Sequence, residues 1–455
     1  MPADANLFWW IAAWLIVAIF IVIRHWRDHQ GTGLVATYIL SFAALHWMSP
    51  ALSLLPWHDP IDPYTSAGMK LSVIGILAFA IGGEFALSRH MRKKGLEAGS
   101  GQALLVEPRL VNVYLFIGVV VYGVIFPFAG RIPSATAIVS TASTLAVAAI
   151  GLKCWNAWQR QYWGLLAFWL ISTIALPLVT VIGQGFLGYG FAAMLTIFAF
   201  VSAFQRLRWY TLVASVLLAY LGMSIYVTYM RDRNDIRDVV WAGADVGDRV
   251  DQLQGTIASA EWFDVANLDH LERIDSRLNQ NYLVGAAVLY LEADKVDYAR
   301  GSTLWDAVLS MVPRAMWPGK PVFAGSGDLV STYTGIRYAE GTSIGIGAVM
   351  ECFVNFGRWG VFGGFFLIGA AVVYVDRSAG SALRRGDADV FLRWYLPGLS
   401  LLNVGGLFAE VTGTGAAALV VVTIVSHATE RMKKRRTDEA APTSSVKIVG
   451  RGVAS

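Results

Sequence analysis

Two cations in a proline-rich segment of this sequence are suited to holding an anion. Arg314 and Lys320 fall in the run PRAMWPGKP, where Pro318 and Gly319 predict a tight turn with Trp317 and Lys320 at its outer positions. The prolines stiffen the loop and end the preceding helix. Two cations and an indole on a rigid loop suit a pyrophosphate or a sugar. The alternative is a structural elbow whose cations meet lipid headgroups.

Two pairs of arginines at helical spacing precede this segment. Arg233 and Arg237 lie four residues apart in RDRNDIRD, and Arg273 and Arg277 repeat the spacing in DHLERIDSRLNQN. Side chains four residues apart on a helix are neighbours, and like charges there repel each other. Each pair therefore indicates that an anion is brought to it, and the forked donors of guanidinium match phosphate oxygens. The alternative is a solvated helix end that is neutralised by its own aspartates.

Three side chains are candidates for a base that accepts the proton of a hydroxyl group. Glu351 lies in an apolar stretch, and on a helix it shares one face with Asn355 and Arg358 at i, i+4 and i+7. His270 is the only histidine in its long polar region and titrates near neutrality when unperturbed. Asp328 follows the proline-rich segment in a glycine-rich stretch. All three stay open, and a Glu351–Arg358 pair that only fixes helix packing is the alternative for the first.

The remainder of the chain is largely apolar, which indicates that apolar helices must position these groups. With 455 residues, of which 56% are hydrophobic and 15% charged, and a mean hydropathy of +0.53, the chain is too apolar for a soluble globule. We expect an all-α polytopic membrane protein. A hydrocarbon core about 30 Å thick needs roughly 20 apolar residues in a helix, and about eleven stretches satisfy that length. They lie at approximately 7–23, 34–55, 69–88, 110–128, 134–152, 164–182, 186–204, 210–230, 358–375, 390–408 and 411–428.

Basic residues are distributed unequally between the short segments that join these spans. If the N-terminus lies outside, the inner segments hold 20 lysines and arginines, against only Lys70 and Arg131 in the outer ones. The positive-inside rule then predicts an outer N-terminus and an inner C-terminus in a bacterial inner membrane, with the long polar region in the periplasm. The expected organisation is 1–230 with spans one to eight, 231–343 as a large periplasmic loop, 344–430 with an outer amphipathic helix and spans nine to eleven, and 431–455 as a disordered cytoplasmic tail.

The large loop contains two segments that predict short helices near the membrane. Residues 282–291 are apolar but too few to span, which is typical of an interfacial or re-entrant helix. Further on, Leu304, Val308 and Met311 share one helical face and predict an amphipathic helix that lies on the membrane and ends at Pro313.

The order of these features resembles a known family of enzymes. Many apolar spans and a long outer loop precede the run Pro313-Arg314-Ala-Met-Trp317-Pro318-Gly-Lys320-Pro321, followed by Thr342-Ser343 and Glu351-x-x-x-Asn355-Phe356-Gly357-x-x-Gly360. The chain is similar in this respect to the Wzy-type O-antigen and exopolysaccharide polymerases. The topology covers nearly the whole chain, and the motif covers about 312–360.

This resemblance implies a metal-independent, cofactor-free membrane glycosyltransferase with a GT-C-like fold. It would transfer a growing glycan from undecaprenyl pyrophosphate onto the outermost sugar of a new lipid-linked repeat, within the lipid bilayer and beside a chain-length regulator, without nucleic acid. Pyrophosphate is a good leaving group, so the reaction needs mainly cations and one base. The base would be Glu351, His270 or Asp328, and the residues that bind pyrophosphate or sugar would be Arg233, Arg237, Arg273, Arg277, Arg314, Trp317, Lys320, Asn355 and Arg358.

Three other functions fit parts of the pattern. An O-antigen ligase uses the same carrier but transfers the finished glycan to a lipid A core. A transporter or flippase for lipid-linked sugars predicts polar residues through the middle of several spans and inverted repeats, and the sequence has neither. A membrane protease such as an exosortase needs a reactive cysteine. Cys352 has no basic neighbour on its helix face and is predicted to act as a small hydrophobe, and with Cys154 it forms no metal or disulfide pattern.

Overall fold

The chain forms helices joined by loops and turns in the part that the computed structural model describes. This part comprises residues 6–55, 62–94, 104–129, 135–205, 209–314, 316–321, 325–338 and 344–440, and it contains no β-strand. A π-helical segment, Val121–Ile125, separates the fifth and sixth α-helices. The α-helices are α1 (Leu7–Arg27), α2 (Leu34–His46), α3 (Met48–Leu52), α4 (Pro63–Lys94), α5 (Pro108–Val120), α6 (Phe126–Ala129), α7 (Ala135–Ser143), α8 (Leu145–Gln159), α9 (Trp163–Ser172), α10 (Ala175–Gln184), α11 (Leu187–Phe204), α12 (Trp209–Trp241), α13 (Val246–Ala258), α14 (Leu268–Leu278), α15 (Gln280–Glu292), α16 (Ser302–Ser310), α17 (Ser326–Thr334), α18 (Gly347–Arg384), α19 (Ala388–Ser400) and α20 (Phe408–Ala440).

Within these described ranges, eight helical stretches are long and apolar enough to cross a membrane. They confirm the predicted class, an all-helical protein with the composition of a multi-pass membrane protein. The eight are Leu7–Arg27, Pro63–His90, Pro108–Ala129, Thr136–Gln159, Trp163–Gln184, Leu187–Phe204, Gly347–Arg384 and Phe408–Met432.

Three of the predicted spans are not among these eight. The span predicted at 34–55 forms the 13-residue helix α2 and the short α3, because Pro50 has no N–H to donate to the His46 carbonyl. The span predicted at 390–408 corresponds to α19, which has 13 residues. The span predicted at 210–230 lies within α12, which begins next to residues outside the described part.

The two ends of the helical bundle contain different segments of the chain. At one end, the Trp26 indole donates to the Ser202 carbonyl at 2.7 Å and Arg384 donates to the His29 carbonyl at 3.2 Å, which joins the ends of α1, α11 and α18. The arginines of the segments predicted to lie inside are found near these helix ends. We call this side of the bundle the basic end. At the other end, called the loop end, lie α13 to α17.

Helices α14 and α15 are joined through the single residue Asn279, and the start of α15 enters the bundle. Asn281, at the start of α15, is fully buried; its Oδ1 accepts from His46 Nδ1 at 2.8 Å and its Nδ2 donates to the His46 carbonyl at 2.6 Å. Gly68 and Gly285 allow α4 and α15 to touch, because a Cβ at either would overlap the backbone of the other helix. The apolar run predicted at 282–291 is thus a helix that packs against α4 within the bundle.

Two further predictions on the outer region and the tail have clear outcomes. The helix predicted before Pro313 is α16; Val308 and Met311 of its predicted apolar face are exposed, as is Trp305, whereas Thr303 and Ala307 are buried. The tail predicted to be disordered from residue 431 is helical as far as Ala440, and 441–455 lie outside the described residues.

Candidate functional site: two charged clusters at the loop end

Glu261 is the centre of an ion-pair network that joins α12 to α14. Its Oε1 accepts from Arg231 Nη1 at 2.7 Å, and its Oε2 accepts from Arg273 Nη1 at 3.2 Å. The hydrogen bond from Arg231, with smaller ones from His270 and Arg273, outweighs burial and lowers the pKa of Glu261 to about 2. Arg273, predicted to bind pyrophosphate, is therefore already paired with a carboxylate. The sequence analysis missed Glu261, which lies between helices where no periodicity marks it.

His270 lies beside Glu261 and has both ring nitrogens engaged. Nδ1 accepts the Asp264 N–H at 3.1 Å, so the proton of the neutral ring is assigned to Nε2, which lies 3.1 Å from Glu261 Oε2. The side chain is buried, with 3% of its surface exposed. This geometry ties the turn before α14 to Glu261, and it leaves neither nitrogen directed at an open site.

Arg233, Arg237 and Arg277 come together at the loop end of α12, and we call them the arginine cluster. α12 continues to Trp241, so Arg233 and Arg237 lie one turn apart as predicted. Burial, followed by repulsion from Arg237 and Arg277, lowers the pKa of Arg233, which indicates that Arg233 lies near both of the other cations. Among the residues that the structure describes, no carboxylate lies within ion-pair distance of any of the three.

Aromatic rings hold Arg237 in place within the cluster. Its guanidinium carbon lies 4.3 Å from the ring centroid of Phe186 and 5.3 Å from that of Trp241. Its Nε is 3.4 Å from the Gly185 carbonyl oxygen. Stacking on ring faces leaves the edge of a guanidinium, with its terminal N–H groups, available to an acceptor.

The arginine cluster has the chemistry of an anion site. Like charges held together are mutually destabilising, and an anion placed between them relieves that repulsion. The forked donors of arginine match the oxygens of phosphate, so a phosphate or diphosphate is the ligand class that fits best.

Carboxylates form a second cluster where α16, α18 and α20 meet, and we call Glu351, Asp306 and Glu410 the carboxylate corner. Glu351 is 1% exposed and accepts the N–H of Phe408, the first residue of α20, at 2.7 Å. Asp306 and Glu410 lie close enough to repel it electrostatically. Burial raises the pKa of Asp306, so this carboxyl holds a proton at a higher pH than an exposed aspartate does. The corner therefore contains groups suited to proton transfer.

Asn355 and Arg358 do not share the face that the sequence predicted. Asn355 is buried as expected and links α18 to α16 through Thr303 at 2.7 Å and the Gly301 N–H at 2.8 Å. Arg358 lies beyond a break in α18, where Gly357 has a φ of +61°, and it pairs with the exposed Glu292 at 3.2 Å. Glu351 and Asn355 lie one helical turn apart as predicted, but the extension of this face to Arg358 and the Glu351–Arg358 pair are wrong, because the glycine break changes the helical phase.

The Arg314–Lys320 loop forms the predicted turn, with the Lys320 N–H donating to the Trp317 carbonyl at 3.1 Å. Arg314 donates to the Lys320 carbonyl at 3.2 Å, and Lys320 Nζ donates to the carbonyls of Ser310 and Val312 at 3.1 and 2.9 Å. The two cations thus bind the backbone of their own loop and the C-terminal end of α16, where carbonyls lack helical partners.

Asp328, the third candidate base, begins a helix that the sequence analysis did not predict. Its carboxylate accepts the Gly325 N–H at 3.1 Å at the start of α17. A carboxylate at a helix N-terminus satisfies free backbone N–H groups and is stabilised by the helix dipole. Its position is therefore explained by capping.

The predicted site residues do not form a single cluster. Arg233, Arg237 and Arg277 meet, Glu351 and Asn355 lie in one corner with the Arg314–Lys320 loop beside it, and no hydrogen bond or ion pair of the described residues joins the two groups. Comparisons of this chain with protein-family models, with curated proteins and with solved structures found no match.

Proposed function

We propose that this protein is a membrane glycosyltransferase that polymerises undecaprenyl-pyrophosphate-linked oligosaccharide repeats into O-antigen or exopolysaccharide. The observation that carries the proposal is the arginine cluster, three guanidinium groups without a carboxylate partner in the described chain. Arg233, Arg237 and Arg277 would hold the diphosphate of the donor and stabilise the negative charge that grows as it leaves.

The surface of α12 supports a substrate that carries a lipid. Val213, Val216 and Leu217, toward the basic end of this helix, are 49%, 69% and 63% exposed. An apolar surface along the helix that ends in the arginine cluster suits a molecule with a hydrocarbon chain and a diphosphate head.

In the proposed reaction, a hydroxyl oxygen of the acceptor sugar attacks the anomeric carbon of the donor glycan. The bond between that carbon and the diphosphate oxygen breaks, its electron pair stays with the diphosphate, and the hydroxyl proton passes to a carboxylate. Glu351 is the base that we favour, with Asp306 and Glu410 beside it. His270 and Asp328 are engaged with backbone groups and partners of their own.

The proposal includes the topology inferred from the sequence. It comprises about eleven crossings, with α2, α12 and α19 added to the eight longer helices, in a GT-C-like arrangement. The loop end would face the periplasm and the basic end the cytoplasm, in a bacterial inner membrane and beside a chain-length regulator.

The test is reconstitution of the purified full-length protein with lipid-linked repeats extracted from cells whose copy of its gene is deleted. A ladder of longer glycans on a gel supports polymerisation. Transfer only to added lipid A core would identify a ligase instead, and movement of the repeats across the bilayer without new bonds would identify a transporter. Unchanged surface polysaccharide in the deletion strain would contradict all three.

A further inference from the structure

A tyrosine-lined cleft of about 220 Å³ opens at the loop end, between α15, the start of α4 and the segment after α17. Tyr282, Ala286, Leu289 and Tyr290 line it from one face of α15, since they follow one another at helical spacing. The cleft is lined by no residue of the arginine cluster and by none of the carboxylate corner.

The rings in the cleft are held in fixed positions. The Tyr282 ring meets the Tyr64 ring edge to face, with centroids 5.3 Å apart and an interplanar angle of 79°. Tyr290 packs against Gly335, which has a φ of +71° and where an added Cβ would lie 2.8 Å from Tyr290 Cε2. The cleft is therefore preformed, which reduces the entropy that a ligand loses on binding.

The polar groups of the cleft are available to a ligand. Within the described chain, the hydroxyl groups of Tyr64, Tyr282 and Tyr290 have no hydrogen-bond partner, although each can both donate and accept. The only cation in the lining is Lys295, which is exposed. The surface is thus mostly neutral, with aromatic faces and free hydroxyl groups.

We propose that this cleft is a saccharide subsite that holds a sugar ring of the lipid-linked substrate. The assignment of the subsite rests on the proposed function. A sugar ring has C–H faces that pack on aromatic rings and hydroxyl groups that exchange hydrogen bonds with phenols. A lipid headgroup is less well matched, because its phosphate would meet one lysine only.

The short connection between α14 and α15 gives the subsite a place in the reaction. Arg277 lies in the last turn of α14 and Tyr282 in the first turn of α15, so a single short connection separates the arginine cluster from the cleft. Two consecutive helices would then bind the substrate, α14 through its diphosphate and α15 through its glycan.

The test uses the oligosaccharide that mild acid releases from the lipid-linked repeats, which has neither lipid nor phosphate. Its binding to the full-length protein in detergent micelles is measured by saturation-transfer NMR. We expect binding that weakens by about tenfold, equivalent to about 1.4 kcal/mol, in Tyr282→Ala and Tyr290→Ala, since each removes an aromatic face. Tyr298→Ala is the matched control, because Tyr298 and Tyr282 are both 38% exposed but Tyr298 lies outside the cleft.

Arg277→Ala should bind this free oligosaccharide as the unchanged protein does, since no phosphate is present. Absence of binding, or equal binding in all variants, would overturn the subsite. Binding to phosphatidylglycerol vesicles that Lys295→Ala abolishes, without binding of the sugar, would assign the cleft to lipid. If the sugar fails to bind while purified protein still lengthens lipid-linked repeats, only the subsite falls; sugar binding without any lengthening would instead refute the polymerase.

Discussion

The arginine cluster and the Arg314–Lys320 loop both gather positive charge at the loop end, but they differ in what the charge touches. In the loop, Lys320 Nζ donates to two backbone carbonyls and Arg314 donates to the carbonyl of Lys320. In the cluster, only the Nε of Arg237 lies near a carbonyl among the described residues, that of Gly185 at 3.4 Å, whereas Arg233 and Arg277 repel each other and have no carboxylate partner there.

This difference shows that the availability of a cation depends on the acceptors around it and not on residue type. A guanidinium that already donates to carbonyls must lose those bonds before it binds an anion, and the loss offsets the gain. Repelling cations gain a bond and lose a repulsion at the same time. We therefore expect substrate binding to depend on the cluster more than on the loop.

The largest effect is expected from Arg233→Ala combined with Arg277→Ala. Because one donor to a developing negative charge contributes about 10²- to 10³-fold, the double variant should slow polymer formation by about 10³-fold or more. The rate of ladder formation from lipid-linked repeats measures it, and Arg337→Ala, an exposed arginine at the same end, serves as the control. A normal ladder from a correctly inserted double variant would remove the cluster from the mechanism.

The next effect concerns Glu351. Hydrogen bonds connect the Arg314–Lys320 loop to it indirectly, because Lys320 donates to Ser310, Ser310 donates to the start of α20, and the first N–H of α20 donates to Glu351. Glu351→Gln keeps an oxygen that accepts the Phe408 N–H but cannot take up a proton near neutrality. If Glu351 is the base, polymer formation should fall by about 10²-fold or more with an unchanged melting temperature. Wild-type rates would mean that this carboxylate only caps α20, and Asp306 and Glu410 would be tested next.

A smaller effect is expected at Glu261, which pairs with Arg231 of α12 and with Arg273 of α14. Glu261→Gln removes the charge that Arg231 and Arg273 share, so the variant should unfold at a lower temperature than wild type at pH 7. Because the pKa of Glu261 falls to about 2, from an ordinary value of about 4.5 in the unfolded chain, its contribution is complete above pH 4.5 and disappears as the pH falls toward 2. Thermal unfolding in detergent, recorded by tryptophan fluorescence, should show the two proteins converging over that range. A difference that stays constant from pH 7 to 3 would contradict this role.

Sequence reasoning succeeded where local pattern determines the outcome. Long apolar stretches indicate membrane helices, and the spacing of Arg233 and Arg237 predicts one helical face because α12 continues through them. It failed at Arg358, since the periodicity assumed an unbroken helix and Gly357 interrupts it. Glu261 was missed because its partners Arg231 and Arg273 reach it only through tertiary packing. The partners of Lys320 are backbone carbonyls, which no side-chain pattern marks.

The smallest effect is expected from Lys320→Met, which keeps the length of the side chain and removes its charge. The Ser310 and Val312 carbonyls near the C-terminal end of α16 would lose a donor, and a cation at a helix C-terminus contributes about 0.3–1 kcal/mol. The protein should therefore unfold at a slightly lower temperature and form polymer within about fivefold of the wild-type rate, a loss of about 1 kcal/mol. If Lys320→Met instead stops polymer formation as completely as the double arginine variant, the ammonium leaves its carbonyls to bind the diphosphate. In that case substrate binding would rearrange the loop, and the two cationic regions would act on the same anion.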